Sequence, residues 1–446
     1  MTIRGLTARW TVAAALVAAV TVALAARSRG EATTGNTGHA DPALEAVVLA
    51  ETIDFFERKL DGDPYNHVVG NRLIDSHMLR FKLDSDLSHL RRAEQIARSL
   101  LPVAPDTASS LARLSLALLA QHKFAGALDA AERAVASDST DEAALGTLFD
   151  AAVASGRYEL AKHALAGLEP GTFTWQLRKA RWLAFLGETD DAFGIMDRAC
   201  ADLERGSVRR QVVAWCTTML AGLEWGRSGH EKAEFWFLKS VQTQPDYMAA
   251  LEGLADIAYA QEDWNTAKEM FERILSEAHP DLYLRIAEVS RALGEVEAAA
   301  WYEDEFVRLA TAPGAEALNA HPLAVYYASS PMAGDRDRAL EIIRHDLDRR
   351  RSVETYEVLS WVRLLRGEFD EALEASGQAR RWGDPGPSSD YVRARILEAL
   401  HRPGEAEPLY RRARADRAQL DHHVVQDLWR REARSPRKTT PSKNHG

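Results

Sequence analysis

Cysteine is nearly absent from this chain. Two thiols, Cys200 and Cys216, stand in 446 residues, which excludes both a disulfide-built scaffold and a zinc site of paired Cys-x-x-Cys type. Sustained apolar–polar alternation is missing, as are Val/Ile-rich runs bounded by turns, so no β-sheet is expected. There is no His-Glu-x-x-His and no Gly-x-Ser-x-Gly, and nothing orients Ser, His and Asp as a triad. The glycine stretches "GTFTW" (171–175) and "GDPGP" (383–387) lack the strand before and the helix after that phosphate binding needs. Positive charge is also short. Lys and Arg number 55 against 66 Asp and Glu, a net charge of -11, which argues against nucleic acid as the main partner.

The fourteen histidines are scattered. His422 and His423 are adjacent, and adjacent helical residues point about 100° apart, a poor metal pair. His67 and His77 lie too far apart on one helix to share a tight site. Neither a metal nor a cofactor is expected.

Only one long apolar run occurs, "WTVAAALVAAVTVALAA" (10–26), preceded by Arg4 and Arg9 and ending in Ala23-Leu24-Ala25. A charged start, an apolar middle and a small-residue cleavage site describe an export signal. As a helix the run spans about 25 Å, short for a bilayer core of ~30 Å. Residues 1–26 are therefore expected to be a signal peptide cleaved near Ala25, with an uncleaved membrane anchor as the alternative. Either places the rest outside the cytoplasm, in the periplasm or cell envelope. Residues 27–41 are small and polar, a linker. An oxidising compartment permits a Cys200–Cys216 bridge. Two buried thiols are favoured, because the pair flanks a turn near Gly206 unevenly, offset by several ångströms at ~1.5 Å per residue, and disulfide geometry is strict.

What the sequence has in abundance is repetition. "LRGEFDEALEASGQARRW" (365–382) restates "QHKFAGALDAAERAVA" (121–136) and "LGETDDAFGIMDRACA" (186–201). Helical patterns run from Pro42 to about residue 428, and a recurring alanine serves as a ruler. It falls at Ala93, Ala127, Ala161, Ala192, Ala233, Ala267, Ala299, Ala339, Ala372 and Ala406, with gaps of 34, 34, 31, 41, 34, 32, 40, 33 and 34 residues. A period near 34 in helix pairs resembles the tetratricopeptide (TPR) repeat. In 108–141, Leu111, Leu114 and Ser115 match that family's large–large–small contacts, Phe124 its turn aromatic, and Ala127, Ala131 and Ala134 its tight second-helix positions. Residues 248–281 and 353–386 repeat the pattern, and "FFERKLDGDPYN" (55–66) resembles the start of bacterial exported members. The expected fold is all-α: a right-handed superhelical solenoid of about nine to ten TPR-like pairs over 42–428, followed by a basic disordered tail, 429–446. One pair cannot bury its apolar face, so pairs stack on a continuous core.

The resemblance also implies a concave groove lined by the first helix of each pair. Its positions here hold Asp150, Glu252, Asp256, Glu288 and Glu357, with Arg113, Arg181 and Arg285 interspersed, and Trp361 as an aromatic anchor. Members that grip a terminal carboxylate carry Lys and Asn at such positions, and this chain does not. The expectation is a non-catalytic scaffold that binds a protein or peptide, possibly basic, in this groove; the tail after Arg430 could itself visit it. The alternative is an accessory subunit or an enzyme with a small active site in the array, although no segment is left over to form a catalytic domain.

Overall fold

The computed structural model describes residues 42–102, 107–205, 210–383 and 386–434. The expected signal, the linker and the tail beyond 434 lie outside these residues. Among those described, regular structure is wholly helical. A leading helix α1 (Pro42–Gly62) is followed by ten pairs: α2 (His67–Asp84) and α3 (Leu87–Leu100), α4 (Ala108–Ala120) and α5 (Phe124–Ser137), α6 (Glu142–Ala154) and α7 (Tyr158–Gly167), α8 (Phe173–Leu186) and α9 (Thr189–Arg205), α10 (Arg210–Ser228) and α11 (His230–Thr243), α12 (Met248–Ala260) and α13 (Trp264–Arg273), α14 (Asp281–Ala292) and α15 (Val296–Ala310), α16 (Ala320–Ser329) and α17 (Asp335–Arg349), α18 (Val353–Arg366) and α19 (Phe369–Arg380), α20 (Gly386–Ala399) and α21 (Pro403–Ala415). A last helix, α22 (His422–Arg434), follows a short 3-10 turn. No described helix is long and apolar enough to cross a membrane.

Each ruler alanine sits on the second helix of its pair, and none is more than 2% exposed. Their smallness lets two helices approach to about 8–10 Å. The Ser115 hydroxyl shows how close: it donates to the carbonyl of Ala127 at 2.6 Å. Local signals agree with the packing. Asp141, Thr172 and Ser352 cap α6, α8 and α18 through side-chain oxygens, worth about 1 kcal/mol each. Gly367 ends α18 with φ 81°, a left-handed turn that costs glycine no Cβ clash.

The superhelix is wound tightly enough for its turns to touch. The segment joining the eighth and ninth pairs lies on the turns of the second and third. Arg349 donates to the His122 carbonyl at 2.6 Å, Arg351 N–H to the Ser155 carbonyl at 3.3 Å, and Tyr158 packs on Trp382 with centroids 5.4 Å apart. Gly156, with φ 72°, is required there, because a Cβ would stand 2.2 Å from the Arg351 carbonyl oxygen. Further on, Gln419 donates to the Trp225 carbonyl at 3.3 Å.

Two expectations need correction. Cys200 and Cys216 form a disulfide, with Cα atoms 5.6 Å apart. The gap between α9 and α10 is centred beyond Gly206, between Arg205 and Arg210. The cysteines therefore lie almost equally far from it, and the supposed offset disappears. The tail also begins later than expected. Residues 429–434 belong to α22, whose Val424, Val425 and Leu428 are buried, an apolar stripe at helical spacing.

Candidate partner groove

First helices of neighbouring pairs pack on one another, and most of the residues expected to line the groove fall into three groups. At the N-terminal end, Arg113 on α4 holds Asp75 on α2 through two parallel bonds of 2.8 and 2.9 Å. In the middle, Asp150 on α6 accepts from Arg178 at 2.6 Å and from Arg181 at 2.8 Å, both on α8. Asp150 is only 2% exposed. A buried carboxylate is costly unless paired and hydrogen-bonded, and two guanidinium groups supply both.

The third group is the densest. Asp256 on α12 accepts from Arg285 on α14 at 2.7 Å. Into this pair comes His422, the first residue of α22. Its Nδ1 lies 2.7 Å from Glu288 on α14, and its Nε2 lies beside Arg285 and 3.2 Å from Asp256. Arginine cannot accept a proton, so the Arg285 contact sets the tautomer: Nδ1–H donates to Glu288 and Nε2 accepts from Arg285. The Tyr259 ring stacks on the imidazole, centroids 3.8 Å apart. Burial drives the Asp256 carboxyl up, but the Arg285 guanidinium outweighs it and holds it below its ordinary value. Burial opposes the charge on Arg285, while Asp256, Glu252 and Glu288 sustain it.

His423 points to the other wall. Its ring meets Trp361 on α18 at 4.9 Å. The 100° between neighbouring helical residues, which makes the two histidines a poor metal pair, is what lets one helix touch both walls. Trp361 is 2% exposed and Asp256 likewise. The picture of an open acidic groove with an exposed aromatic anchor is therefore corrected at Asp150, Asp256 and Trp361. Arginines of the next first helix neutralise the acids, and α22 covers the tryptophan. Glu252 and Glu357 are half-buried on α12 and α18. Sequence reasoning missed Asp75, Arg178 and His422. The Arg178–Arg181 spacing, one helical turn apart and a repeat after Asp150, was the available signal for Arg178. His422 had no local signal.

No protein-family model and no curated protein matches the chain. Among solved structures it is similar to a human IFIT1 dimer with PPP-AAAA (15% identity, TM-score 0.44, 75% of this chain and 77% of that one). A human IFIT1 dimer with m7Gppp-AAAA gives 14% identity and TM-score 0.45 over 76% and 78%. Yeast Tom70 gives 12% identity and TM-score 0.35 over 88% and 96%. By its own stacked pairs the chain is an all-α helical solenoid. These likenesses concern shape alone. Within the solenoid, the groove between the sixth, seventh and ninth pairs holds a helix, and among the described residues no cluster of His, Cys, Asp and Glu is arranged to bind a metal.

Proposed function

We propose that this solenoid is a non-catalytic scaffold whose groove holds a helical segment of a protein partner. The observation that carries the reading is α22 itself. The groove already accommodates one amphipathic helix, gripped by Tyr259 stacked on His422 at one wall and by Trp361 against His423 at the other, which is how helix-in-groove recognition works. Apolar residues Val424, Val425 and Leu428 add to the grip. A partner helix would displace α22 or extend beside it. We further propose export to the cell envelope, supported by the charged and apolar N-terminal run and by the disulfide.

The test uses a chain ended at Leu420 and a synthetic peptide of residues 421–434. Saturable binding of the peptide in trans, together with a protein captured from the native envelope by the shortened but not the full chain, is the expected result. A shortened chain that stays folded yet binds neither peptide nor protein sinks the proposal. Tight binding of single-stranded RNA that weakens steeply with salt would replace it with a nucleic-acid reading.

A further inference from the structure

Beside the His422 contact the molecule keeps a small recess open to solvent. Asp256, Tyr259, Glu262, Arg417, His422 and Trp429 line it. The recess has an unmet need. Asp256 uses one carboxylate oxygen on Arg285, but its other oxygen, Oδ2, is buried with no hydrogen-bond partner. A buried acceptor left unpaired costs about 1–3 kcal/mol, and only a donor satisfies it. The surrounding charge selects the kind of donor. Asp256 and Glu262 on the walls, Glu288 behind His422 and Glu432 near the mouth stand, among the described residues, against Arg285 and Arg417, the latter 3.6 Å from Glu432. Two aromatic rings, Tyr259 and Trp429, stand in the walls with centroids 6.2 Å apart. A negative field with aromatic faces favours an organic cation over a hydrated metal ion or a neutral ligand.

We propose that this recess binds an ammonium group, either a small primary or methylated amine or the end of a lysine side chain. The ammonium donates to Asp256 Oδ2, and its carbon-bonded face rests on Trp429 and Tyr259. This site does not depend on the groove accepting a partner. Because α22 supplies part of the wall, a bound amine holds that helix in place.

Calorimetric titration of the full chain decides it, with choline, methylammonium, N-acetyl-lysine amide and neohexyl alcohol, the uncharged carbon isostere of choline. At least one of the cations should bind saturably, and choline, where it binds, roughly tenfold or more tighter than its isostere. Binding of the small amines assigns a small-molecule source; binding of the lysine amide alone assigns a protein source. Asp256→Asn should weaken the bound cation about tenfold. Since that change also disturbs the buried pair with Arg285, Glu262→Gln on the exposed turn is the second variant, expected to weaken binding about threefold by removing one screened charge. No cation binding, an isostere that binds as well as choline, or two variants that bind like the parent would overturn the proposal.

Discussion

The backbone N–H of Val353 donates to the Tyr158 hydroxyl at 2.7 Å, across 195 residues of chain. The bond joins the ninth pair to the third and sits beside the Gly156–Arg351 contact, so it reports directly on whether successive turns of the superhelix touch. Tyr158→Phe leaves a buried N–H unpaired and should cost about 1–3 kcal/mol. Gly156→Ala places a Cβ against the Arg351 carbonyl and should cost at least as much, because a positive φ adds strain. Chemical denaturation of both variants checks this. Parental stability in both would mean the turns are apart in solution.

The ruler alanines are interior. Ala127→Arg or Ala372→Arg pushes a charged chain between helices where neither alanine has any exposure. Overpacking costs about 1–3 kcal/mol, and a poorly paired buried charge adds more. In a solenoid the damage spreads to neighbouring pairs. The thermal midpoint should fall clearly, with hydrogen-exchange protection lost in flanking helices.

The Cys200–Cys216 bridge closes a loop with a sequence separation of 16. By chain-entropy arguments a loop of this size stabilises by about 3 kcal/mol. A Cys200→Ser, Cys216→Ser double variant should lose up to that amount, and the parent should lose the same in reductant. Mass spectrometry of unreduced peptides tests the bond itself.

Acid should destabilise the fold through His122. This residue occupies a left-handed turn with φ 54°, stacks on Phe124, and has a buried Nδ1 without a partner. Burial first, and then Arg350, lower its pKa to about 3, from about 6.5 in an unfolded chain. Below pH 6.5 the unfolded chain takes up the proton that the folded one refuses. The stabilisation is therefore complete above about pH 6.5 and is lost progressively as pH falls toward 3, by up to about 1.4 kcal/mol per pH unit. Asp346 acts in the same sense at lower pH: burial raises its pKa, but His321 and Arg350 outweigh burial and hold the carboxyl below its usual value. His122→Asn tolerates the left-handed turn and should flatten the stability curve between pH 6.5 and 4. An unchanged slope would show that His122 is protonated in the folded state.

Sequence alone determined the repeat. The alanine at each second helix, the aromatic at turns such as those of Phe124, Tyr158, Trp264 and Phe369, and the glycine after Arg366 act between neighbours in the chain, where helical periodicity and steric size are readable residue by residue. The stacked helix pairs, about nine to ten of them, the first helical residue near Pro42 and every ruler alanine follow from that. Tertiary structure alone decided what the groove contains. Asp150 and Asp256 read as exposed acids because their arginine partners lie a repeat away, and Trp361 read as a free anchor because α22 follows it by some sixty residues. The disulfide depended on where the two flanking helices end. Such contacts are set by how tightly the superhelix winds. That winding sums small rotations between pairs, and it brings residues together with no common period in the chain.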